Sequence, residues 1–167
     1  MTNDPARLGP DTFADFAHAR TPHLFRLAWL LCGHHAEAEG LVQETLTKVY
    51  VRVSKRFSAP LDHPAAYAQT VLTYTFISAR RRRSSTEVPY EDLPEDGVDD
   101  HAATSDIKIA LHDALAGLKP LDRAVVVLRY LDDLSVDRVA QMLDLTPGAV
   151  RSRSTRALSR LREGVTR

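Results

Sequence analysis

The segment LSVDRVAQMLDLTPGAVRSRSTRALSRLR, residues 134–162, contains the clearest structural pattern in the chain. Its apolar residues recur at helical spacing on both sides of a short break near Asp144, which predicts two helices joined by a tight turn. The second of these helices is rich in arginine. A short helix pair with a basic second helix is typical of the helix-turn-helix motif, which places that second helix in the major groove of DNA.

The second helix is expected to begin with Thr146 as its N-cap and Pro147 in its first turn. At about 100° per residue, Val150, Ala157 and Leu161 share one face, which should pack inward. The opposite arc holds the residues predicted to meet DNA: Gly148, Arg151, Ser152, Thr155 and Arg156. Small residues allow close approach to the groove, and arginine can bind guanine through two hydrogen bonds. An ordinary solvated basic helix is the alternative, and the spacing of the preceding helix disfavours it.

Outward from this segment, the chain is predicted to be all-α, with two small helical domains. Apolar spacing from Ile107 to Leu118, and again after Pro120, adds two helices to the motif and defines a domain over residues 107–163. Residues 12–84 form the other domain, with helices at about 12–32, 36–53 and 64–83. Pro22 is expected either in the first turn of a separate helix or at a break, and Gly33 at a helix end.

Charge is distributed unevenly, although the formal net charge is zero. Residues 84–106 contain eight acidic residues and no lysine or arginine. We therefore predict an acidic linker over residues 85–106, and a flexible N-terminus over residues 1–11. A coil of this length spans roughly 25 Å on average and up to about 70 Å when extended. Two domains joined in this way can bind separate places on one long ligand.

The remaining chemistry of the chain excludes several classes of protein. Cys32 is the single cysteine, so an intrachain disulfide is excluded, and with His34 and His35 it falls short of the four ligands of a structural zinc site. Neither a nucleophile-elbow glycine pattern nor a phosphate-binding glycine loop occurs. We expect no enzyme, no metal and no cofactor. Without a signal-peptide pattern or an apolar run of 18 residues, a cytoplasmic protein with no membrane contact of its own is expected.

Three blocks carry a resemblance to a known family. They are AEGLVQETLTKVY at 38–50, PAAYAQTVLTYTFISARRRRS at 64–84 and LRYLDDLSVDRVAQMLDLTPGAVRSRSTRALSRLR at 128–162. In this order, with an acidic linker between them, they resemble the small bacterial RNA polymerase sigma factors of the extracytoplasmic-function (ECF) group, most closely the short actinobacterial type. The third block alone is also similar to other helix-turn-helix regulators.

The resemblance implies partners and site residues. The first domain, region 2, would bind the clamp helices of the polymerase β′ subunit and open the −10 element, and the second, region 4, would bind the −35 element and the β flap. Core polymerase binding is then expected of Leu41, Val42, Gln43, Glu44, Thr47 and Lys48, of which Leu41 and Val42 also suit a core role. Contact with the −10 region is expected of Tyr74, Ser78, Arg80, Arg81, Arg82 and Arg83. An anti-sigma protein is a further implied partner, and the nucleoid is the implied location within holoenzyme.

Several positions depart from the family pattern. Gly40 stands where the family usually has Asp, Tyr74 where it often has Asn, and Ala79 where it often has Trp. In the second domain Arg138, Asp144 and Ala149 replace the usual Glu, Gly and Thr. Tyr74 suits either stacking on an unpaired base or packing in the core.

The four consecutive arginines at 80–83 suit either a solvated helix end or phosphate binding, and we expect two or three of them to meet DNA. The alternative for the whole chain is a stand-alone helix-turn-helix regulator that never joins polymerase. The segment from Leu41 to Glu44 argues against that alternative, because a plain regulator has no need of it.

Overall fold

The computed structural model of the chain describes residues 8–85 and 105–165, with the side chains of 8–85 and 108–164. Over these residues seven α-helices follow one another: α1 (Phe13–Cys32), α2 (His35–Ser54), α3 (Pro64–Ser85), α4 (Ser105–Ala116), α5 (Pro120–Val126), α6 (Val136–Leu143) and α7 (Pro147–Val165). A 3-10 turn, Pro10–Thr12, precedes α1, and a π-helical turn, Val127–Leu131, continues α5. The predicted all-α class is confirmed.

Helices α1, α2 and α3 pack against one another and bury the apolar faces that their spacing predicts. The largest side chains in this part of the core are at most 2% exposed: Leu24, Leu27, Leu31, Val49, Leu72 and Phe76. Burying an aliphatic or aromatic side chain of this size contributes roughly 1.5–3 kcal/mol each. This packing sets the orientation of the outward faces of α2 and α3.

Pro22 lies inside α1, so the prediction of a break or a separate second helix at this residue is wrong. Proline removes one main-chain hydrogen bond and crowds the preceding turn, which costs about 3 kcal/mol in a helix interior. The turns on both sides nevertheless pack on the same core: Phe16 before Pro22 contacts it, and Leu24 and Leu27 after it are buried. Their combined burial exceeds the penalty of one proline.

Gly33 ends α1, as predicted. Its φ of 81° lies in the left-handed region, and its N–H donates to the Trp29 carbonyl oxygen at 2.8 Å. Glycine adopts this conformation without the steric penalty of a Cβ. The chain therefore reverses over two residues, Gly33 and His34, and returns as α2.

Helices α6 and α7 form the predicted helix-turn-helix. Asp144 occupies the left-handed region with φ 53°, and the Leu145 N–H donates to the Ala140 carbonyl oxygen at 2.9 Å, which closes the turn. The Thr146 hydroxyl accepts from the Ala149 N–H at 3.1 Å, so Thr146 caps α7 as predicted. Arg153 on α7 pairs with Asp122 on α5 at 2.7 Å and ties the motif to the helix before it.

The two helical halves also pack on each other. Helix α1 contacts α4 and α5, and α3 contacts α5 and α6. The sequence predicted two domains joined by a linker, and it did not predict this contact between them. Within the described residues, no helix has the length and apolarity required to cross a membrane.

Candidate nucleic-acid interface

The residues predicted to meet DNA on α7 share one solvent-exposed face. Its members are Gly148, Arg151, Ser152, Thr155 and Arg156. On the opposite side of the helix Val150 and Ala157 are fully buried, and Ser154 is 5% exposed and donates its hydroxyl to the Val150 carbonyl oxygen at 2.8 Å. The packing of α7 therefore presents the basic face outward.

Gly148 leaves the first turn of α7 without a protruding side chain on this face. A Cβ added there would meet nothing nearer than the Thr146 hydroxyl at 4.0 Å, so packing within the chain does not require glycine at this position. A residue without a side chain lets the helix backbone come close to a groove floor or a phosphate. The N-terminus of a helix also favours negative charge, because its first N–H groups carry partial positive charge.

A second exposed face lies on α3. Tyr74 is 65% exposed, which excludes the alternative of a core aromatic. Tyr74, Ser78 and Arg81 are spaced by four and three residues and so share one side of the helix. The face thus combines an aromatic ring, a half-buried hydroxyl and an exposed guanidinium. Such a set suits a nucleic-acid strand with unpaired bases.

The four arginines at the end of α3 divide into two pairs. Arg80 and Arg83 reach Glu37 on α2, with nitrogen–oxygen distances of 2.9 and 3.3 Å, and the Arg80 guanidinium also lies 5.3 Å from the centre of the Phe76 ring. Arg81 and Arg82 are exposed and project toward the side of Tyr74 by helical geometry. The structure thus presents two of the four arginines on the α3 face, and Arg80 has a structural contact to α2.

The predicted polymerase-binding residues of α2 also divide by burial. Gln43, Glu44, Thr47 and Lys48 are exposed along one side, whereas Leu41 is 7% and Val42 5% exposed. Leu41 and Val42 accordingly belong to the core, the alternative that their spacing left open. The Lys48 ammonium group bonds the Glu44 carboxylate at 2.8 Å and the Thr75 hydroxyl of α3 at 2.9 Å. This contact links the exposed side of α2 to a buried hydroxyl of α3.

Sequence reasoning missed two exposed apolar residues next to these faces. Phe57 is 96% exposed in the loop between α2 and α3 and follows two exposed cations, Lys55 and Arg56. Val51 is 50% exposed and extends the α2 face by one turn beyond Thr47. Phe57 could have been found as an aromatic residue next to Lys and Arg in a polar loop, and Val51 by its spacing of four from Thr47.

The loop that holds Phe57 is anchored at its base. The Arg52 guanidinium donates to the Ala59 carbonyl oxygen at 3.0 Å, and the Ser58 hydroxyl donates to the Arg52 carbonyl oxygen at 3.0 Å. Further along, the Leu8 N–H donates to the Leu61 carbonyl oxygen at 3.4 Å. These bonds hold the loop while leaving the Phe57 ring in solvent.

Cys32 offers no reactive centre. The side chain is 5% exposed, and burial, followed by the charge of Glu37, raises the pKa of its thiol to about 12. A thiol with such a pKa is a poor nucleophile and a poor metal ligand at neutral pH. Among the residues that the structure describes, no three His, Cys, Asp or Glu side chains come together as a metal site.

Two family descriptions match the chain. One, Sigma-70 region 2, matches residues 16–86, which include the exposed faces of α2 and α3 and the Phe57 loop. The other, Sigma-70, region 4, matches residues 108–161 and includes most of α7. The order of the two matches is that of the two helical halves.

Individual relatives agree with this. The RNA polymerase sigma-E factor of Streptomyces avermitilis is 34% identical over 90% of this chain and 83% of its own length. The ECF RNA polymerase sigma factor SigL of Mycobacterium tuberculosis is 32% identical over 83% of this chain and 80% of its own length. Among solved structures, the sigma factor RpoE of Bartonella quintana, crystallised with the anti-sigma factor NepR, superimposes with a TM-score of 0.69 at 26% identity, covering 91% of this chain and 97% of that one.

Proposed function

Because the chain belongs to the sigma-70 family and is an ECF RNA polymerase sigma factor, we propose that its three exposed faces divide the work of initiation. A sigma factor joins core RNA polymerase and directs it to promoters, and this is the function of the chain. The observation that carries the division is that α2, α3 and α7 each present a separate outward face of matching chemistry.

The face of α7 is assigned to the −35 element. It carries Arg151 and Arg156 beside the small residues Gly148 and Ser152, and it lies on the second helix of a closed helix-turn-helix. In that motif the second helix enters the major groove and its first turns contact base edges. Arginine on these turns can bind guanine or phosphate oxygens.

The face of α3 is assigned to the −10 element. Tyr74 offers an exposed ring for stacking on an unpaired base, and Arg81 and Arg82 offer charge for the backbone phosphates. Phe57 is added to this assignment, because an exposed ring beside two cations combines stacking with phosphate attraction. Base stacking on an aromatic side chain contributes about 1–3 kcal/mol per base, which favours the melted strand.

The face of α2 is assigned to core polymerase. Gln43, Glu44, Thr47 and Lys48 supply polar groups, and Val51 adds an exposed apolar surface at one end. Leu41 and Val42 support this face from the core. The β′ clamp helices are the partner that the family resemblance implies for it, and the β flap is the partner implied for the second half.

Regulation and location follow from the same membership. The RpoE relative was crystallised with an anti-sigma factor, and an anti-sigma protein is accordingly proposed as a partner of this chain. The chain is proposed to act in the cytoplasm, and at the nucleoid when it is part of holoenzyme. It is proposed to have no catalytic activity of its own, since polymerase catalyses RNA synthesis. A stand-alone regulator is not favoured, because the sigma-E relative aligns over both halves.

In-vitro transcription with purified core polymerase tests this function. A pool of promoter fragments transcribed with and without the chain, followed by mapping of start sites, should reveal initiation that depends on it. Arg156→Ala should weaken binding to the −35 element by about 1–3 kcal/mol if Arg156 meets a base. Arg160→Ala removes the same charge one turn further along, off the centre of the α7 face, and is the control.

Two outcomes would contradict the assignment. Polymerase binding without any start site that depends on the chain would reject the promoter-directing role. If Arg156→Ala and Arg160→Ala lost the same binding affinity on every DNA sequence, Arg156 would not recognise a base. The loss would then reflect only the removal of one positive charge.

A further inference from the structure

Leu8, just before the 3-10 turn, is attached to the Phe57 loop, residues 55–63 between α2 and α3. The Leu8 N–H donates to the Leu61 carbonyl oxygen at 3.4 Å, and the two residues form an antiparallel bridge. Leu8 is only 6% exposed within the apolar core, and Leu61 packs against that core. Because a main-chain bond of this length is weak, the attachment depends mainly on the buried Leu8 side chain.

The segment that carries Leu8 is itself fixed to the helices. The Gly9 N–H donates to the Thr12 hydroxyl at 3.1 Å, and the Thr12 N–H donates to the Gly9 carbonyl oxygen at 3.3 Å. The 3-10 turn packs on α1 and α2, and the Phe13 ring that follows it lies 5.1 Å from the centre of the Tyr50 ring of α2. Leu8 is therefore an anchor that belongs to the helical core.

The Phe57 ring lies between two attachments of its loop. One is a turn closed by the Ser58 N–H, which donates to the Lys55 carbonyl oxygen at 3.1 Å. The other is the bridge between Leu8 and Leu61. Phe57 is 96% exposed, so packing of the ring itself does not set its direction. The backbone that carries the ring sets that direction, and both attachments restrict that backbone.

A restrained loop binds more tightly than a free one. Ordering a loop or a side chain on binding costs free energy, and a loop that is already ordered avoids part of that cost. An aromatic ring that is presented in one direction can therefore stack on a base with less loss of conformational freedom. A buried residue that holds such a loop raises affinity without touching the ligand.

We propose that Leu8 is a positioning residue for −10 recognition, which holds the Phe57 loop through Leu61 so that the Phe57 ring is presented to an unpaired base. This role rests on the proposed function, in which Phe57 contacts the −10 element. Leu8 acts through the loop, and its contribution to DNA binding therefore requires the Phe57 ring.

Tryptic cleavage of the free, full-length chain tests whether Leu8 holds the loop. Trypsin cuts after lysine and arginine, so cleavage between Arg56 and Phe57 reports on loop opening. Leu8→Ala should speed this cleavage several-fold. Leu8→Met keeps a flexible apolar side chain of similar volume and should restore the rate of wild type.

Two controls separate loop opening from loss of the fold. Cleavage between Arg26 and Leu27, inside α1, requires unfolding of the helix and should keep the same rate in Leu8→Ala. Leu30→Ala makes the same truncation at the other end of α1, where the side chain packs against the core. It should not speed cleavage in the Phe57 loop relative to cleavage in α1.

DNA binding is measured with holoenzyme on a dye-labelled fragment of a promoter found by start-site mapping, with its −10 element left single-stranded. Leu8→Ala should weaken binding about 2–10-fold, as expected for the ordering of one loop. In a Phe57→Ala background the same substitution should have no effect, because a double-mutant cycle removes a contribution that acts through the ring. Binding of a duplex that carries only the −35 element should stay unchanged in Leu8→Ala.

Equal cleavage of the Phe57 loop in wild type and Leu8→Ala would overturn the proposal. An equal loss of −10 binding with and without the Phe57 ring would also overturn it, since Leu8 would then act on the fold in general. If Phe57→Ala alone bound the −10 fragment like wild type, the proposed assignment of Phe57 would fall, and the role of Leu8 in DNA binding with it. The cleavage rates distinguish this case, because they are measured without DNA.

Discussion

At the scale of single residues, Gly33 and Gly40 should respond to alanine in opposite ways. Gly33 has φ 81° and lies beneath the His112 ring, so Gly33→Ala adds backbone strain and a steric overlap. Gly40 lies within α2, and a Cβ there would meet nothing within 4 Å. Urea denaturation should show a loss of at least about 1–2 kcal/mol for Gly33→Ala and a gain of about 0.5–1 kcal/mol for Gly40→Ala.

A His112→Ala background separates the two causes at Gly33. Removing the ring relieves the overlap and leaves the backbone strain, so Gly33→Ala should cost about 1–2 kcal/mol there and more in the wild type. The same loss in both backgrounds would contradict the close contact between His112 and Gly33. The control matters because Gly33 is predictable as a helix end from α1 alone, whereas its contact with α4 is a tertiary feature.

At the scale of elements, packing divides each helix between core and surface. The spacing of α2 predicts its buried stripe, yet Leu41 and Val42 stand next to Gln43 and Glu44 in one continuous motif. The structure distinguishes the two pairs: Leu41 and Val42 are 7% and 5% exposed and lie in the core, whereas Gln43 and Glu44 are exposed. The arginine run on α3 behaves similarly, since four adjacent arginines look alike in sequence but Glu37 of α2 pairs with Arg80 and Arg83.

The α2 face yields a prediction about polymerase affinity. Gln43→Ala and Glu44→Ala together should weaken core polymerase binding several-fold, because both side chains are exposed on the α2 face and neither packs in the core. Alanine favours helix, so stability should change by less than about 0.5 kcal/mol. Titration of labelled protein with core polymerase measures the effect. Asp15→Ala on α1, which removes the same net charge, is the control and should bind core polymerase like wild type. Equal affinity of wild type, the double variant and the control would reject the assignment of the α2 face to polymerase binding.

At the scale of the whole molecule, Cys32 reports on how well the packed core at the end of α1 excludes solvent. It lies at the end of α1, where Glu37, Arg80 and Arg123 also influence its ionisation, and burial is the largest cause of its raised pKa. With a pKa of about 12 instead of 9.0, the native thiol at pH 8 should react with a thiol reagent about 1,000-fold more slowly than the urea-unfolded thiol. Comparable rates in native and unfolded protein would show that the site is open.

The same shift carries a pH dependence. The thiol keeps its proton longer in the folded state, so the unfolded state ionises first as pH rises. The contribution of Cys32 to stability is complete below pH 9.0 and is lost as pH rises toward about 12. Denaturation of Cys32→Ala should show a weaker decline over that range than wild type.

The sequence by itself determined the local features. Periodicity defined the helices, Gly33 and Thr146 marked a helix end and a helix start, and one exposed arc of α7 collected the small and basic residues. These features depend on backbone preferences and on spacing within a few residues, so they can be predicted from residues that are close in the sequence. The same kind of reasoning failed at Pro22, because the core contacts that keep α1 intact come from other helices.

Only the tertiary structure decided which side chains are available and how the halves meet. Tyr74 is exposed, Arg80 is paired with Glu37, and Asp132 is buried against Gln69 and His23. The contacts of Arg80 and Asp132 join residues between 43 and 109 positions apart in the chain. Spacing along one helix carries no information about such partners, since burial and pairing are properties of the surfaces that folding brings together.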